Sequence, residues 1–153
     1  ADFIIAGKID KDNPTSINLS QLKEWSKLPN IEYIGHKSNM HELIHKSTIV
    51  VLPSYYGEGL PKILIEASAC GRPIITTDHP GCRDAIIHGK TGLLVPIKNV
   101  NEIVKAIRKL INSRDLIFEM SKSARMLAEK NFDINEVTNI HLSIYDELLK
   151  LNQ

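Results

Sequence analysis

The stretch from Val50 to Gly71, VVLPSYYGEGLPKILIEASACG, decides how this chain folds. The apolar, β-branched run Ile49–Leu52 predicts a buried strand. A glycine-bearing polar loop follows, and the apolar pattern then predicts a helix over Lys62–Cys70. We expect Pro61 to be the first helical residue, because a helix does not use the N–H that proline lacks at this position. Gly71 follows as a left-handed terminator of the helix.

The junction between this strand and this helix is a candidate ligand site. A helix that begins beyond the carboxyl end of a strand presents free N–H groups and the positive end of its dipole to an anion. Gly59 has no side chain that would keep a ligand away. Glu58 and Glu66 bracket the loop and the first turns of the helix. Because carboxylates accept hydrogen bonds from hydroxyl groups, we expect them to contact sugar hydroxyls rather than phosphate.

Strand and helix patterns alternate over the first 95 residues. This order predicts an α/β fold with a parallel sheet and helices on both of its faces. Ligands of such sheets bind beyond the carboxyl ends of the strands. The predicted strands are Asp2–Gly7, Ile31–Ile34, Ile49–Leu52, Pro73–Thr77 and Gly92–Val95. The predicted helices are Leu19–Leu28, Asn39–Lys46, Lys62–Cys70, Gly81–Ile87, Val100–Ile111, Arg114–Lys130 and Asn135–Leu151.

The composition is typical of one soluble domain. Hydrophobic residues make up 42% and charged residues 24% of the 153 residues, which are ordinary values. The formal net charge of +1 gives no overall field that attracts nucleic acid or anionic lipid, so we expect no nucleic-acid partner. No apolar run approaches the ~20 residues that span a bilayer. Cys70 and Cys82 are too few for a disulfide framework, which favours a reducing, cytoplasmic location.

Glu58 and Glu66 are separated by seven residues within PSYYGEGLPKILIEASACGRPII, and this stretch resembles the signature of the family 4 retaining glycosyltransferases. The resemblance continues through TTDHPGCRDAI and HGKTGLLVP. It implies the GT-B fold, in which two Rossmann-like domains hold donor and acceptor in the cleft between them. Residues 1–153 would then form the single C-terminal, nucleotide-sugar-binding domain. Since the chain opens on a strand without an initiating Met, we expect a fragment that lacks the N-terminal acceptor domain.

The resemblance also assigns roles to residues. Glu66 is expected to hold the ribose hydroxyls of the nucleotide, and Glu58 to contact the transferred sugar as the catalytic carboxylate. The amides of Gly59 and Leu60 are expected near the sugar and the diphosphate, and the loop around Lys37 near the base. The expected donor-binding residues are Lys37, Glu58, Gly59, Leu60, Pro61, Lys62 and Glu66.

The implied reaction moves a hexosyl unit from a nucleotide sugar, which we expect to be UDP-linked, to a saccharide or lipid-linked acceptor. The resemblance implies neither a cofactor nor a metal ion. The segments LPKILIEA and PGCRDAI resemble bacterial enzymes of surface polysaccharide or lipopolysaccharide synthesis, which implies peripheral contact with the inner face of the cytoplasmic membrane. The family usually adds an Arg and a Lys from a segment that precedes the first strand of this chain. We therefore expect the chain alone to bind donor weakly and to transfer no sugar.

Two alternatives to this interpretation remain open for the glutamates. Glu66 lies one helical turn after Lys62, which is also the spacing of a surface ion pair. Against that interpretation, the apolar neighbours Ile63, Leu64 and Ile65 predict a helix with little exposed face. The second alternative is that the chain is a non-catalytic module that binds a sugar nucleotide with the same site.

A zinc hydrolase is the third alternative. Residues 41–45, HELIH, match the His-Glu-x-x-His pattern, in which His41 and His45 share one helix face and Glu42 is the base. Glu66 is then the candidate third ligand. The apolar residues of this short helix leave the two histidines on its outer side.

Three further motifs each have a structural and a functional interpretation. Tyr55 and Tyr56 either line the sugar subsite or cover the loop. Arg83 either reaches a phosphate or pairs with Asp84. Residues 89–91, GKT, resemble the end of a P-loop but precede a strand, so they predict a tight turn. No G-x-G-x-x-G occurs, so a nicotinamide or flavin dinucleotide is not indicated.

Overall fold

The computed structural model describes residues 1–10, 12–13, 16–57 and 59–151, so Glu58 lies outside the described residues. The elements alternate as predicted, and the α/β architecture with parallel strands is confirmed. In chain order they are β1 Phe3–Ala6, α1 Leu19–Trp25, β2 Ile31–Gly35, α2 Met40–Lys46, β3 Val50–Leu52, α3 Lys62–Ala69, β4 Ile74–Thr77, β5 Gly92–Val95, α4 Val100–Ile111, α5 Arg114–Asn131 and α6 Ile134–Leu151.

The chain forms two compact units, Ala1–Met40 and His41–Gln153. In the first, β1 and β2 pair in parallel, with a register shift between Ile5 and Ala6. Helix α1 packs against β2 and begins with a capping box between Asn18 and Gln21, which satisfies two N–H groups that would lack helical partners.

The second unit contains a three-stranded parallel sheet in the order β3-β4-β5. The central strand β4 is buried at all four residues, as its run of β-branched side chains predicts. Helices α3 and α4 pack against this sheet. The apolar core joins the sheet to α4 and α5 and consists of Ile75, Leu93, Val95, Ala106, Leu110 and Met120.

The β4–β5 pairing depends on one glycine. Gly92 pairs with Ile74, and a Cβ atom at Gly92 would lie 2.2 Å from the Ile74 carbonyl oxygen. No side chain fits there unless the strand backbones separate. Residues 89–91 form the predicted turn before β5: Thr91 is buried, and its Oγ1 accepts a hydrogen bond from the Ile87 N–H at 2.8 Å.

Helix α3 ends as predicted. Gly71 adopts a φ of 63°, and its N–H donates to the Ser68 carbonyl at 2.9 Å, while the Arg72 N–H donates to the Ala67 carbonyl at 2.9 Å. This pair of bonds is a Schellman motif. It stops α3 where α5 crosses, since a Cβ at Gly71 would lie 3.3 Å from the Ser121 carbonyl oxygen.

Two predicted elements differ from the structure. The helix expected over Gly81–Ile87 is only a 3₁₀ turn at Arg83–Ala85. Gly81 has a φ of 78°, and Ile86 is extended and buried, so the segment turns into the core instead of continuing a helix. Pro61 precedes α3 as its N-cap residue rather than being the first helical residue.

Helix α6 exposes its large apolar side chains. From residue 134 to residue 149, their exposed fractions run from 38% at Val137 to 71% at Ile134. Within the described ranges, no helix has the length and apolar character needed to cross a membrane.

Candidate functional site

The candidate site is formed around the N-terminus of α3. Pro61 is buried, has φ −67° and ψ 123°, and no side chain caps the helix with a hydrogen bond in the described part of the chain. The Leu64 N–H donates to the Pro61 carbonyl at 3.0 Å. The N–H groups of Lys62 and Ile63 precede this first helical bond, and no described residue accepts from them outside the helix, so they can meet an external acceptor. Although Pro61 is the N-cap residue and not the first helical residue, the candidate anion site is still at the start of the helix.

Two threonines at the end of β4 fix the loop that leads to α3. The Thr76 hydroxyl donates to the Leu52 carbonyl at 2.8 Å, and the Thr77 hydroxyl donates to the Ser54 carbonyl. Both threonines are fully buried. Because a buried carbonyl without a partner is costly, these bonds hold the loop against the sheet as it leaves β3.

The backbone around Gly59 is open. Apart from the chain neighbours, no described residue places an atom within 4 Å of the Cβ position of Gly57 or Gly59. Leu60, which follows, is 38% exposed. The two glycines themselves therefore place no side chain in the way of a ligand group that approaches this backbone.

Glu66 is less buried than its apolar neighbours predict. Its side chain is 31% exposed, and its Oε1 lies 3.4 Å from Nζ of Lys62, whose side chain is 87% exposed. The ion pair of the alternative interpretation is therefore present, although an exposed pair of this kind contributes only about 0.3–0.5 kcal/mol. Helix α3 has little exposed face, as expected, because Lys62 is the one exposed residue among its eight described residues and Glu66 is half-buried. Since the pair is loose and Lys62 is almost fully exposed, the carboxylate retains acceptor capacity for a ligand.

Tyr55 and Tyr56 stack on each other in the loop after β3. Their ring centroids are 4.5 Å apart at an interplanar angle of 29°, and their hydroxyl oxygens are 3.2 Å apart. This hydrogen bond raises the pKa of Tyr55 above its ordinary value of 10.0, so the phenol is neutral at pH 7. Nζ of Lys98 lies 4.8 Å from the centroid of the Tyr55 ring. Both tyrosines are exposed on this loop.

Arg83 pairs with Asp78 and not, as one alternative had it, with Asp84. Arg83 Nε lies 2.5 Å from Asp78 Oδ1, and both side chains are about half exposed. This hydrogen bond and the charge of Asp78 raise the pKa of Arg83, and Asp84 adds a smaller attraction. The turn at Gly81 brings Arg83 back over the end of β4. The guanidinium has further N–H donors besides the Nε–H that binds Asp78, so this ion pair is compatible with a phosphate contact.

A cavity of about 520 Å³ opens beside this ion pair. Its lining residues are Asp78, His88, Leu94, Val95, Pro96 and Ile97. The Leu94 N–H donates to Nδ1 of His88 at 2.9 Å, so neutral His88 carries its proton on Nε2. The sequence analysis assigned no role to His88 or Lys98, because their contacts with the end of β5 and with the tyrosines leave no pattern in the sequence.

The predicted donor-binding residues fall into two groups. Gly59, Leu60, Pro61, Lys62 and Glu66 are grouped on one loop and one helix of the second unit. Lys37 is exposed and belongs to the first unit.

The HELIH helix lacks the arrangement of a zinc hydrolase. The rings of His41 and His45 stack with centroids 6.2 Å apart, and both are exposed, as predicted. Glu42 Oε1, however, lies 2.6 Å from Lys46 Nζ, which lowers the pKa of Glu42 through a hydrogen bond and through charge. Across the described ranges, no three His, Cys, Asp or Glu side chains are grouped as metal ligands, and Glu66 does not join the two histidines.

Comparison with known proteins gives a consistent result. The family described as Glycosyl transferases group 1 matches residues 1–130. The chain is 33% identical over 150 residues to the N,N'-diacetylbacillosaminyl-diphospho-undecaprenol alpha-1,3-N-acetylgalactosaminyltransferase of Campylobacter jejuni, covering 98% of this chain and 38% of that protein. It is 29% identical to the capsular polysaccharide biosynthesis glycosyltransferase CapM of Staphylococcus aureus, covering 97% of this chain and 38% of that protein.

Solved structures show the same fold. A glycosyltransferase from Rickettsia africae superposes with a TM-score of 0.83 at 25% identity, over 96% of this chain and 40% of that one. Anabaena Alr3699/HepE, solved in complex with UDP, superposes with a TM-score of 0.81 at 20% identity, over 96% of this chain and 40% of that one. The chain therefore spans about two fifths of the length of these proteins.

Proposed function

Because this chain belongs to the family of glycosyl transferases group 1, we propose that it is the donor-binding domain of a retaining glycosyltransferase. The substrate is a nucleotide sugar, and the group transferred is a hexosyl unit. The acceptor is a saccharide or a lipid-linked saccharide that a separate N-terminal domain would hold. Match lengths of 38% and 40% in longer relatives support a two-domain protein.

The start of α3 is the observation that carries this proposal. Its amides have no side-chain cap among the described residues, the space over Gly59 is open, and Glu66 follows one turn into the helix. An uncapped helix start attracts a diphosphate through its N–H groups and its dipole. A carboxylate at the distance of one helical turn suits the hydroxyls of the ribose attached to that diphosphate.

These groups give the site its catalytic role. When the bond between sugar and diphosphate breaks, negative charge develops on the leaving diphosphate. Fixed dipoles aimed at that charge stabilise the transition state, because they do not have to reorganise as the charge appears. The amides of Gly59, Leu60 and Lys62 are the donors proposed for this role. Glu58 is proposed to contact hydroxyls of the transferred sugar, and the backbone around Lys37 to hold the base.

We propose UDP as the nucleotide. The support comes from structural relatives whose complexes contain UDP, or UDP with glucose. The relatives from Campylobacter and Staphylococcus act on an undecaprenol-linked acceptor and in capsule synthesis, as their names say. We therefore propose bacterial surface polysaccharide or lipopolysaccharide synthesis as the setting, in the cytoplasm and in peripheral contact with the inner face of its membrane.

A non-catalytic module that binds sugar nucleotides needs the same helix start and the same carboxylate. The two functions separate only when transfer is measured in a protein that also contains an acceptor domain. The chain alone is proposed to transfer no sugar, since half of the cleft would be missing. Detectable transfer by the isolated 153 residues would overturn that part of the proposal.

Calorimetric titration with UDP and UDP-sugars tests the donor site. Glu66→Gln removes the charge at constant size, and Glu42→Gln removes the carboxylate of another Glu–Lys pair with the same helical spacing. We expect Glu66→Gln to weaken UDP binding about tenfold to a hundredfold, because hydrogen bonds to a charged group contribute about 1.5–3 kcal/mol. Glu42→Gln should bind like the wild type. Equal loss in both variants would contradict the ribose role.

A further inference from the structure

Lys98 has an unusual backbone conformation at the edge of the candidate site. It follows β5 and has a φ of 55°, the one positive φ among the non-glycine residues in the described ranges. Residues with a Cβ seldom adopt this conformation. Where they do, the site is often a ligand clamp or another functional contact.

The conformation of Lys98 directs its ammonium onto the tyrosine pair. Nζ lies 4.8 Å from the centroid of the Tyr55 ring, within the range of cation–π attraction. In the part of the chain that the structure describes, five Lys or Arg side chains pair with carboxylates, and Lys98 is not one of them. An ammonium has three N–H donors. The attraction to the ring face is electrostatic, so these donors can still form hydrogen bonds to an acceptor. The cation is held in place and is still able to bind an anion.

The tyrosines next to Lys98 present a fixed aromatic surface. Tyr55 is 39% exposed and Tyr56 48% exposed, so solvent reaches both rings. The bond between their hydroxyls and the 4.5 Å stacking hold the two rings together. A rigid, exposed ring offers an apolar face to the C–H groups of a sugar at little cost in side-chain entropy.

The same turn continues into the cavity beside Asp78. Pro96 and Ile97, directly before Lys98, form one wall of this cavity of about 520 Å³. Asp78 supplies carboxylate oxygens, and Nε2 of His88 supplies an N–H, since Nδ1 accepts from the Leu94 N–H. This open surface cavity combines apolar side chains with these polar groups.

We infer that Lys98, Tyr55 and Tyr56 form a subsite for a saccharide that carries an anionic substituent, either a phosphate or a carboxylate. The ring faces pack against the sugar, and the ammonium binds the anionic group. The inference rests on the proposed function only in that a saccharide has to reach these loops. It adds to that function a preference for charged over neutral sugars.

Protein-observed NMR titration of the chain tests the subsite. The probes are glucose, glucose 6-phosphate, glucuronate and inorganic phosphate. Glucose 6-phosphate, glucuronate or both are expected to bind about tenfold more tightly than glucose, because one charge-assisted contact is added. Which of them gains affinity identifies the anionic group. The shifts should centre on Tyr55, Tyr56 and Lys98.

Three variants attribute the effect to the lysine. Lys98→Gln keeps most of the stem and removes the charge, and Lys98→Gly removes the side chain where glycine fits the backbone best. Lys90→Gln removes the charge of an exposed lysine in the turn before β5 and serves as the control. Both Lys98 variants should abolish the preference for the charged sugars, and Lys90→Gln should retain it.

The subsite is refuted if glucose binds as tightly as both charged sugars, or if the preference survives in both Lys98 variants. It is also refuted if inorganic phosphate binds as tightly as glucose 6-phosphate, because the rings then contribute nothing. A parallel UDP titration keeps the two proposals distinct. UDP binding without a preference among the sugars refutes the subsite alone, whereas a preference without UDP binding supports the subsite and contradicts the donor site.

Discussion

Replacing Gly92 by Ala should disrupt the sheet that carries the site. The new Cβ would lie 2.2 Å from the Ile74 carbonyl oxygen and 3.0 Å from both the carbonyl carbon and the amide nitrogen of Ile74. An ordinary contact between carbon and oxygen is about 3.3 Å or longer. The strands would therefore have to separate by about 1 Å, and β4 cannot yield because β3 pairs with its other edge.

The cost follows from the hydrogen bonds at this point. A separation of about 1 Å moves N–H···O pairs beyond bonding distance, and each buried group left without a partner costs about 1–3 kcal/mol. Overpacking alone costs about 1–3 kcal/mol. We expect a total of about 3–5 kcal/mol, a large part of the 5–15 kcal/mol that is typical of a domain's stability. The melting temperature should fall by on the order of 10 °C.

Thermal and urea unfolding followed by far-UV circular dichroism measures this loss. Gly57→Ala is the matched control, because no atom lies within 4 Å of its Cβ position and its φ is not positive. That variant should keep or slightly raise the melting temperature, since alanine restricts the unfolded chain. A Gly92→Ala protein as stable as the Gly57→Ala protein would refute the close approach of β4 and β5.

Three further predictions concern the site and its supports. Gly59→Ala should change stability by less than about 0.5 kcal/mol, because no described residue other than its chain neighbours lies within 4 Å of its Cβ position. The same variant should bind UDP more weakly in calorimetry, and an unchanged affinity would mean that the diphosphate does not approach Gly59. Gly71→Ala should lower the urea midpoint by the equivalent of about 1–2 kcal/mol, because its φ is 63° and its Cβ would lie 3.3 Å from the Ser121 carbonyl oxygen; an unchanged midpoint would contradict the tight packing. The pKa of Glu42 lies below 4.5 because of Lys46. The stabilisation from this pair is therefore complete above the unfolded-state pKa of Glu42 and is lost as the pH falls through its folded-state pKa. NMR titration should show that Lys46→Gln returns the pKa of Glu42 to its ordinary value, and an unchanged pKa would exclude the ion pair.

The parts of the fold that depend on local sequence were predictable. The end of α3 is one example, because a Gly after an apolar helical run favours the left-handed conformation that Gly71 adopts. The alternation of strands and helices is another, since burial on a parallel sheet imposes apolar runs of limited length. The predicted helix over Gly81–Ile87 failed because the positive φ of Gly81 and the burial of Ile86 are set by the core and not by propensity.

The candidate site was predictable only where residues are close in sequence. The loop and the start of α3 form one segment, and the placement of Gly59, Pro61 and Glu66 follows from it. The sequence analysis did not find Asp78 as the partner of Arg83, because the turn at Gly81 that returns Arg83 to Asp78 leaves no pattern in the sequence. The contact between Lys98 and Tyr55 joins loops after different strands, so no local signal exists for it.

The central claim is that the start of α3 binds the diphosphate of a nucleotide sugar. The most direct test is a titration of the ¹⁵N-labelled chain with UDP, followed through its amide resonances. The account predicts saturable shifts, at millimolar or lower UDP, that are largest at Gly59, Leu60, Lys62 and Ile63. Uridine without the diphosphate should shift these amides far less. Shifts confined to α4, α5 or α6, or equal shifts with uridine and UDP, would contradict the account.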